Sequence, residues 1–262
     1  MGAEMPNQPD EPDQMTAPDR RWSQAPLLEA FEQAPARVCG LDEVGRGALA
    51  GPLVAAAVIL PDDFPEKLGP LARFLRDSKT TPRQRREEVA ALTRAHAVAL
   101  AIAIAPVETI NQRGIGWANR DVFRALIAQI DADEYIVDGK IKPPTPPSCV
   151  GRVRCLIKAD AQTPAVSAAS IVAKVYRDHI MASLAAGHAP YAAYGWERNA
   201  GYGTPEHLTA LRAHGLTPHH RAVFVATALS GGRRARHGAA PAATDEFVWE
   251  PAADELDNLN KM

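Results

Sequence analysis

Two acidic residues stand side by side where an apolar stretch ends, and a glycine-rich turn follows at once. They are Asp42 and Glu43, and the turn is Gly45-Arg46-Gly47. Neighbouring carboxylates in a protein core repel each other and lose hydration, so a fold that places them at the end of a buried strand needs positive charge there. Carboxylate oxygens suit the hard cations Mg²⁺ and Mn²⁺. The turn adds bare backbone N–H groups and one guanidinium, which favours a phosphate-containing ligand.

The apolar runs predict an α/β domain. Residues 53–60 form a continuous apolar run of strand length, bounded by proline at both ends. Thr81 is the expected N-cap of a helix that begins at Pro82, and Gly114 and Gly116 interrupt the helix that follows the third strand. The order of elements predicts a mixed five-stranded sheet flanked by helices, with a helical C-terminal segment. The predicted strands are 37–41, 53–60, 97–105, 135–137 and 151–157, and the predicted helices are 82–94, 107–130, 164–184 and 205–214.

Composition excludes several classes of protein. Hydrophobic residues make up 46% of the chain, which is enough for a core, yet no run of about 18 apolar residues predicts a membrane span. The first residues lack the apolar segment of a secretion signal. Cys39, Cys149 and Cys155 have the spacing of neither a disulfide framework nor a metal site, so we expect reduced core cysteines in a cytoplasmic protein. Nothing in the sequence requires an oligomer, and a monomer is the default expectation.

Charge and composition divide the chain into a body and two tails. Residues 1–35 are acidic and proline-rich, and residues 231–262 are rich in alanine, glycine and charge; we expect both to be disordered. The body at 36–230 holds 23 basic and 18 acidic residues, a net charge of +5, whereas the whole chain carries −2. A mildly positive body is compatible with a polyanionic partner but does not require one.

Two further acids end apolar runs in the same manner as Asp42. Asp138 ends the run YIVD, and Asp160 ends CLIKAD. Ligands of open sheets gather beyond the strand ends, so we expect Asp42, Glu43, Asp138 and Asp160 to converge. Four oxygen ligands around two divalent ions form a site for phosphodiester hydrolysis. Asp178, late on the helix 164–184, is the rival fourth ligand.

These motifs resemble the ribonuclease HII family, the type 2 ribonucleases H, over residues 37–230. The most specific match is DEVGRGALAGP at 42–52. Further matches occur in a consistent order: DSK at 77–79, IVDG at 136–139, KAD at 158–160, SAASIVAKV at 167–175, GYGT at 201–204 and HHR at 219–221.

The resemblance implies a ribonuclease H-like α/β fold and a metal-dependent endoribonuclease. Such an enzyme cuts the RNA strand of RNA–DNA hybrids and nicks duplex DNA 5′ of an embedded ribonucleotide, leaving 3′-hydroxyl and 5′-phosphate ends. It implies Mg²⁺ or Mn²⁺ as cofactor, with two ions when substrate is bound. The family's catalytic acids map onto the four carboxylates named above. Its 2′-hydroxyl reader maps onto Gly45-Arg46-Gly47, and the tyrosine that packs on the sugar at the RNA-to-DNA junction maps onto Tyr202.

Several positions depart from the family pattern, and none of them is one of the four acids. Basic residues common in the family are absent at 199–200 and 222–223, which removes charges that would contact phosphate. The other departures are Ala48, Ala159 and the pair at 80–81. We expect these changes to weaken substrate affinity without altering the reaction. Lys79 and Lys174 are candidates for contacts to the phosphate backbone.

Two other classes of function remain open on the sequence. A non-catalytic hybrid-binding protein would bind without metal and without cleavage, and would not need the acids. A strand-transfer or integrase-type enzyme would share the acids but would not need a 2′-hydroxyl reader. All-DNA substrates distinguish the second class from a ribonuclease.

Overall fold

A central sheet of five strands organises the computed structural model, which describes residues 36–76, 81–140 and 142–231. The order of the strands across the sheet is β3-β2-β1-β4-β5. The first three strands pair antiparallel, whereas β4 runs parallel to both β1 and β5. The predicted mixed five-stranded sheet is therefore confirmed. The strands are β1 (Val38–Val44), β2 (Leu53–Ile59), β3 (Ala99–Ala105), β4 (Glu134–Asp138) and β5 (Val153–Leu156).

The bounds of the first strand correct the sequence prediction in a way that matters for the acids. The predicted strand ended at residue 41, but β1 continues through Val44. Asp42 pairs with Ala56 and Glu43 pairs with Ala55, so both acids lie inside the antiparallel ladder. Strand β2 supplies only apolar and small side chains here, and it holds the acidic end of β1 in regular geometry.

Eight α-helices within the described residues cover the sheet and form the C-terminal segment. The helix predicted at 82–94 begins at Arg83, with Pro82 in the cap position, so Thr81 is not the N-cap; its hydroxyl instead donates to the carbonyl of Phe74. Gly114 breaks the next predicted helix, but Gly116 lies within a helix. The helices are α1 (Phe64–Leu68), α2 (Arg83–His96), α3 (Val107–Arg113), α4 (Ile115–Gln129), α5 (Pro164–Gly187), α6 (Trp196–Asn199), α7 (Pro205–His214) and α8 (Ala222–Leu229).

Helix α5 packs directly across β1. A Cβ atom at Gly40 would lie 2.2 Å from the backbone of both Ala165 and Val166, so only glycine permits this approach. Side chains of α2 and α5 pack with Val54, Ala56 and Val58 on one face of the sheet. Helix α4 covers the other face. The close contact brings the middle of α5 beside the acidic end of β1.

The chain after α5 forms a helical layer around a third apolar cluster. Trp196 and Met181 are fully buried there, together with Leu49 and Ala50 from the segment after the Gly-Arg-Gly turn. This arrangement confirms the helical C-terminal segment. No helix among the described residues is long and apolar enough to cross a membrane. Both tails lie outside the described residues, apart from Gly231.

Candidate active site

Three of the predicted acids line one cavity of about 460 Å³ at the end of the sheet. Asp42 and Glu43 come from β1, and Asp138 is the last residue of the parallel neighbour β4. The lining consists of Asp42, Glu43, Val44, Gly45, Arg46, Gly47, Arg86, Asp138, Ser170, Lys174 and Tyr202. The cavity therefore combines carboxylates, basic side chains and the glycine-rich turn.

Asp42 and Glu43 reach the cavity from opposite faces of β1. Val44 packs with the α5 side of the sheet and Leu41 with the α4 side, so alternation places Asp42 toward α5 and Glu43 toward α4. The sequence analysis expected both acids to converge. The strand remains paired through both residues, and they share the cavity because it opens at the edge where β1 ends.

Burial and mutual repulsion oppose the charge of this acidic pair. Asp42 is 7% exposed, and burial raises its pKa to about 7; a hydrogen bond with Ser170 acts the other way, and the charges of Glu43 and Asp138 add to the rise. Burial likewise raises the pKa of Glu43 to about 6, while Arg46 lowers it and Asp138 raises it. A cation in the cavity would favour the ionised forms of both groups.

Asp138 and Asp160 lie next to each other in the fold but have different surroundings. The Asp138 carboxylate accepts a hydrogen bond of 2.8 Å from the backbone N–H of Ala159. Asp160 follows in a short 3₁₀ turn, is half-buried, and accepts from the N–H of Ala161 at 3.0 Å. Its side chain is not part of the cavity lining. Asp178, the rival ligand, is not part of it either.

The carboxylates do not enclose a metal ion by themselves. Within the described part of the chain, no three histidine, cysteine or acidic side chains are close enough together to hold a metal ion. Mg²⁺ usually keeps several waters and binds through one or two carboxylates together with substrate phosphates. Three oxygen-donor side chains on one cavity, two of them with raised pKa values, fit a hard divalent ion that binds with its substrate.

The glycine-rich turn forms one wall of the cavity and is tied to Tyr202. The N–H of Gly45 donates to the Tyr202 hydroxyl at 3.2 Å, which joins the two predicted substrate-reading motifs. Arg46 is half exposed, and its guanidinium lies 3.8 Å from the Glu43 carboxylate. Gly47 is exposed at the cavity. The turn therefore presents backbone groups and one exposed cation beside the acids.

Two fully buried arginines hold the turn and the residues that follow it; the sequence analysis quoted Arg221 only as part of the HHR match and did not select Arg177. Arg177 donates to the carbonyls of Ala50, Pro52 and Ala200 at 2.8–2.9 Å. Arg221 donates to the carbonyls of residues 45, 46 and 51 at 2.7–3.1 Å. Burial lowers the pKa of both groups, to about 9 for Arg221. A basic residue within an apolar helix face was the only sequence signal for Arg177.

Histidines 207 and 220 pack behind Tyr202 and not in the cavity. The Nε2 atoms of the two rings are 3.0 Å apart, and Nδ1 of His207 lies 3.0 Å from the Tyr202 carbonyl. His220 is buried, and burial lowers its pKa to about 3. The sequence analysis noted His219-His220 as a motif, and the structure places His220 in this packing layer.

The basic residues of the cavity are only partly those predicted. Lys174 lines the cavity and pairs with Asp178 at 2.7 Å. Lys79 lies outside the described residues. Arg86, which the sequence analysis did not select, projects from α2 into the cavity lining. Its position depends on the packing of α2 against α5, a contact that periodicity alone does not reveal.

Known proteins are similar to this chain over most of its described residues. The family described as Ribonuclease HII matches residues 39–227. A Ribonuclease HII of Thermosynechococcus vestitus is 44% identical over 203 residues, which cover 76% of this chain and 88% of the relative.

Solved structures share the architecture. The ribonuclease HII of Archaeoglobus fulgidus, solved in complex with PCNA, is 26% identical, with a TM-score of 0.58 over 71% of this chain and 93% of its own. Bst-RNase HIII, solved with Mn²⁺, has a TM-score of 0.56 at 21% identity over 79% of this chain and 74% of its own, which shows the fold alone. The mixed sheet and the extent of the family match lead to one assignment: the chain belongs to the ribonuclease HII family, whose members are endonucleases of the ribonuclease H type.

Proposed function

We propose that this protein cuts the RNA strand of RNA–DNA hybrids and nicks duplex DNA on the 5′ side of an embedded ribonucleotide. The products would carry 3′-hydroxyl and 5′-phosphate ends. The observation that carries the proposal is that Asp42, Glu43 and Asp138 share one cavity with the Gly-Arg-Gly turn and Tyr202. On this proposal, the carboxylates for hydrolysis and the turn and tyrosine for recognition of RNA lie in the same cavity.

The role that we propose for the carboxylates is to hold divalent ions beside the phosphate that reacts. We assign metal binding and catalysis to Asp42, Glu43, Asp138 and Asp160. When bound, divalent ions, Mg²⁺ or Mn²⁺ and two with substrate present, supply positive charge against the scissile phosphate and activate the attacking water. Asp160 joins the set because it follows Ala159, whose N–H holds the Asp138 carboxylate.

The turn and Tyr202 supply recognition of the ribonucleotide. A 2′-hydroxyl both donates and accepts, and it is the only group that distinguishes RNA from DNA at a given position. Tyr202 engages the N–H of Gly45, and Arg221 engages the carbonyls of residues 45 and 46. We therefore assign recognition of the 2′-hydroxyl to the N–H groups of residues 46 and 47 and to the Gly47 carbonyl, on the wall of the cavity. Tyr202, fixed on Gly45, would pack on the sugar at the RNA-to-DNA junction. Lys174 and Lys79 would contact phosphates.

Partners and location follow from the same proposal. The nucleic-acid substrates are RNA–DNA hybrids and duplex DNA that contains ribonucleotides. The monomeric state, the cytoplasmic location and the disorder of the tails at 1–35 and 231–262 stay predictions. We further propose a role in ribonucleotide excision repair, which nicking beside an embedded ribonucleotide would begin.

Three labelled substrates test the function when incubated with the full chain and Mg²⁺ or Mn²⁺. They are duplex DNA with one ribonucleotide, a hybrid with four or more ribonucleotides, and all-DNA duplex. We expect cleavage of the first two, with the nick 5′ of the single ribonucleotide, and no cleavage of the third. A cut hybrid with an intact single-ribonucleotide duplex would indicate type 3-like specificity. Cleavage of DNA alone would favour a strand-transfer enzyme, and tight binding without any cleavage would favour a hybrid-binding protein.

The variant Asp42→Asn tests the role of the acids. It keeps the shape and a hydrogen-bond acceptor but removes the charge, so we expect nearly all turnover to be lost with the fold intact. Asp121→Asn is the matched control, because Asp121 pairs with Arg124 on the exposed surface of α4. Full activity in Asp42→Asn would refute the proposed metal role.

A further inference from the structure

We propose that Arg86 binds a phosphate of the nucleic-acid backbone next to the scissile one, with Lys174 as its partner. The inference rests on the proposed nuclease function. Arg86 projects from α2 and Lys174 from α5, and both side chains line the carboxylate cavity. They form a basic flank on a cavity whose other wall is acidic.

The guanidinium of Arg86 is only partly bonded. Its Nη1 donates to the Thr81 carbonyl at 2.6 Å. Its Nη2 lies 3.9 Å from the Asp178 carboxylate, beyond hydrogen-bond range. Its Nε is buried and, among the described residues, has no hydrogen-bond partner. The two Nη atoms carry four N–H donors between them, and in the part of the chain that the structure describes their one bond within hydrogen-bond range is to Thr81. The buried Nε already lacks a partner there, so an anion that binds the Nη groups from the cavity would offset part of the cost of burying this side chain.

The charges around Arg86 favour an anion as well. Lys174 and Arg86 both face Asp178, at 2.7 Å and 3.9 Å, so one carboxylate is shared between two cations. The neighbouring arginines of α2 differ, because Arg83 pairs with Glu87 and Arg85 pairs with Glu88. The pair formed by Arg86 and Lys174 therefore keeps an excess positive charge, whereas the outer face of the helix is balanced.

The position of this basic pair points to a neighbouring phosphate and not to the reacting one. Ser170 bonds Asp42, and Lys174 follows Ser170 by four residues of α5, a rise of about 6 Å. Lys174 Nζ also lies 5.8 Å from the centre of the Tyr202 ring. A strand whose sugar contacts Tyr202 and whose scissile phosphate lies at the acids would bring an adjacent phosphate to Arg86 and Lys174. Arg86 is thus a substrate-binding residue that does not touch the reacting atoms.

Salt dependence of binding tests the proposal, because each phosphate contact contributes to counterion release. The full chain, in EDTA to prevent cleavage, is titrated onto a fluorescent RNA–DNA hybrid at several salt concentrations. For Arg86→Gln we expect the slope of log K against log salt to fall by about 0.7–0.9. The affinity ratio of unsubstituted to variant protein should then shrink about threefold between about 50 and 200 mM salt. Arg86→Lys should restore most of the slope.

Arg85→Gln is the matched control, since it removes the same charge one residue away on the outer face of α2. We expect its slope to equal that of the unsubstituted chain. An unchanged slope in Arg86→Gln, an equal loss in Arg85→Gln, or an absence of salt-dependent binding by the unsubstituted chain would each overturn the proposal. Thermal unfolding of each variant separates lost binding from lost folding. Cleavage is measured separately with Mg²⁺, so a failure of the proposed nuclease activity leaves the slope comparison readable.

Discussion

Asp42 is a carboxyl group whose burial opposes its own charge. Its environment raises its pKa to about 7, mainly through burial, although Ser170 and the N–H of Glu43 stabilise the ionised form. Such a residue weakens the free protein at neutral pH and gains a favourable environment when a cation arrives. The same conflict, in a milder form, applies to Glu43. The acidic pair is therefore arranged for a ligand and not for the stability of the free chain.

The pH dependence of stability follows from this shift. The pKa of Asp42 is higher in the folded state, about 7, than its ordinary value of 3.8, so folding favours the protonated form. The contribution to stability is fully present below the ordinary value and is lost as pH rises through 7. In EDTA, we expect Asp42→Asn to be more stable than the unsubstituted chain at pH above 7, by up to about 4 kcal/mol, and nearly equal to it at acidic pH. Urea unfolding on either side of this window measures the difference; the same difference at every pH would contradict the shift.

Site residues could be predicted from the sequence where the neighbouring residues in the chain marked them. Asp42, Glu43 and Asp138 were identifiable because acids at the ends of apolar runs are conspicuous in sequence, and the structure places all three on one cavity. Arg86 was not identifiable, because nothing in its neighbourhood separates it from the other arginines of the same helix. Arg86 differs from the other arginines of α2 through a contact that is distant in sequence, since it faces Asp178 on α5.

At the scale of elements, two buried arginines bind the carbonyl groups of the segment at 45–52 that follows β1. Arg221 bonds the carbonyls at 45, 46 and 51, and Arg177 bonds those at 50 and 52. Replacing either guanidinium would leave several buried carbonyls unpaired. These donors act together with the buried side chains of Leu49 and Ala50 to fix the backbone that faces the cavity.

Gly45 and Gly47 give a matched test of this arrangement. Gly45 has a φ of +88°, and a Cβ there would lie 2.1 Å from Nε of Arg177, whereas a Cβ at Gly47 would meet nothing within 4 Å. We expect Gly45→Ala to destabilise the protein by about 2–4 kcal/mol, through strained backbone and displacement of the arginine. Gly47→Ala should cost less than about 1 kcal/mol. Urea denaturation of both variants measures the contrast, and equal costs would mean that Arg177 does not hold the turn.

The elements themselves were predicted well where one signal dominated. The run at 53–60 was confirmed as β2, and the helix at 205–214 was confirmed as α7, since proline, glycine and continuous apolar character mark their ends. The predicted end of β1 at residue 41 was wrong. The acidic residues indicated a strand end, but β1 stays paired with β2 through both of them. Thr81 was wrong as a cap because the local pattern does not show that its hydroxyl bonds Phe74.

At the scale of the whole molecule, topology decides where the acids meet. Strand β4 lies parallel beside β1 with Val137 opposite Leu41, so Asp138 lies at the same end of the sheet as Asp42 and Glu43. The sequence could place each acid at a strand end, but the strand order that makes β1 and β4 neighbours comes from the packing of the complete sheet. The layer after α5 then closes the cavity with Tyr202.

Metal binding should therefore be visible as stability of the entire domain. Carboxylates must be deprotonated to bind a divalent ion, and a ligand at about 100 times its Kd adds about 2.7 kcal/mol to the free energy of unfolding. Because the pKa values of Asp42 and Glu43 are about 7 and 6, protons compete with the ion at acidic pH. We expect saturating Mg²⁺ or Mn²⁺ to raise the Tm at pH 8 by about 5 °C or more, and to raise it little at pH 5.

Calorimetry of the full chain at both pH values, with NaCl at matched ionic strength, measures this shift. The variant Asp42→Asn should lose most of the rise at pH 8, since it removes a central ligand, while the surface variant Asp121→Asn should keep it. An equal rise at pH 5 and pH 8 would mean that the stabilising ions bind elsewhere on the molecule. A rise that survives in Asp42→Asn would lead to the same conclusion, because an ion that Asp42 helps to hold should bind more weakly once that side chain loses its charge.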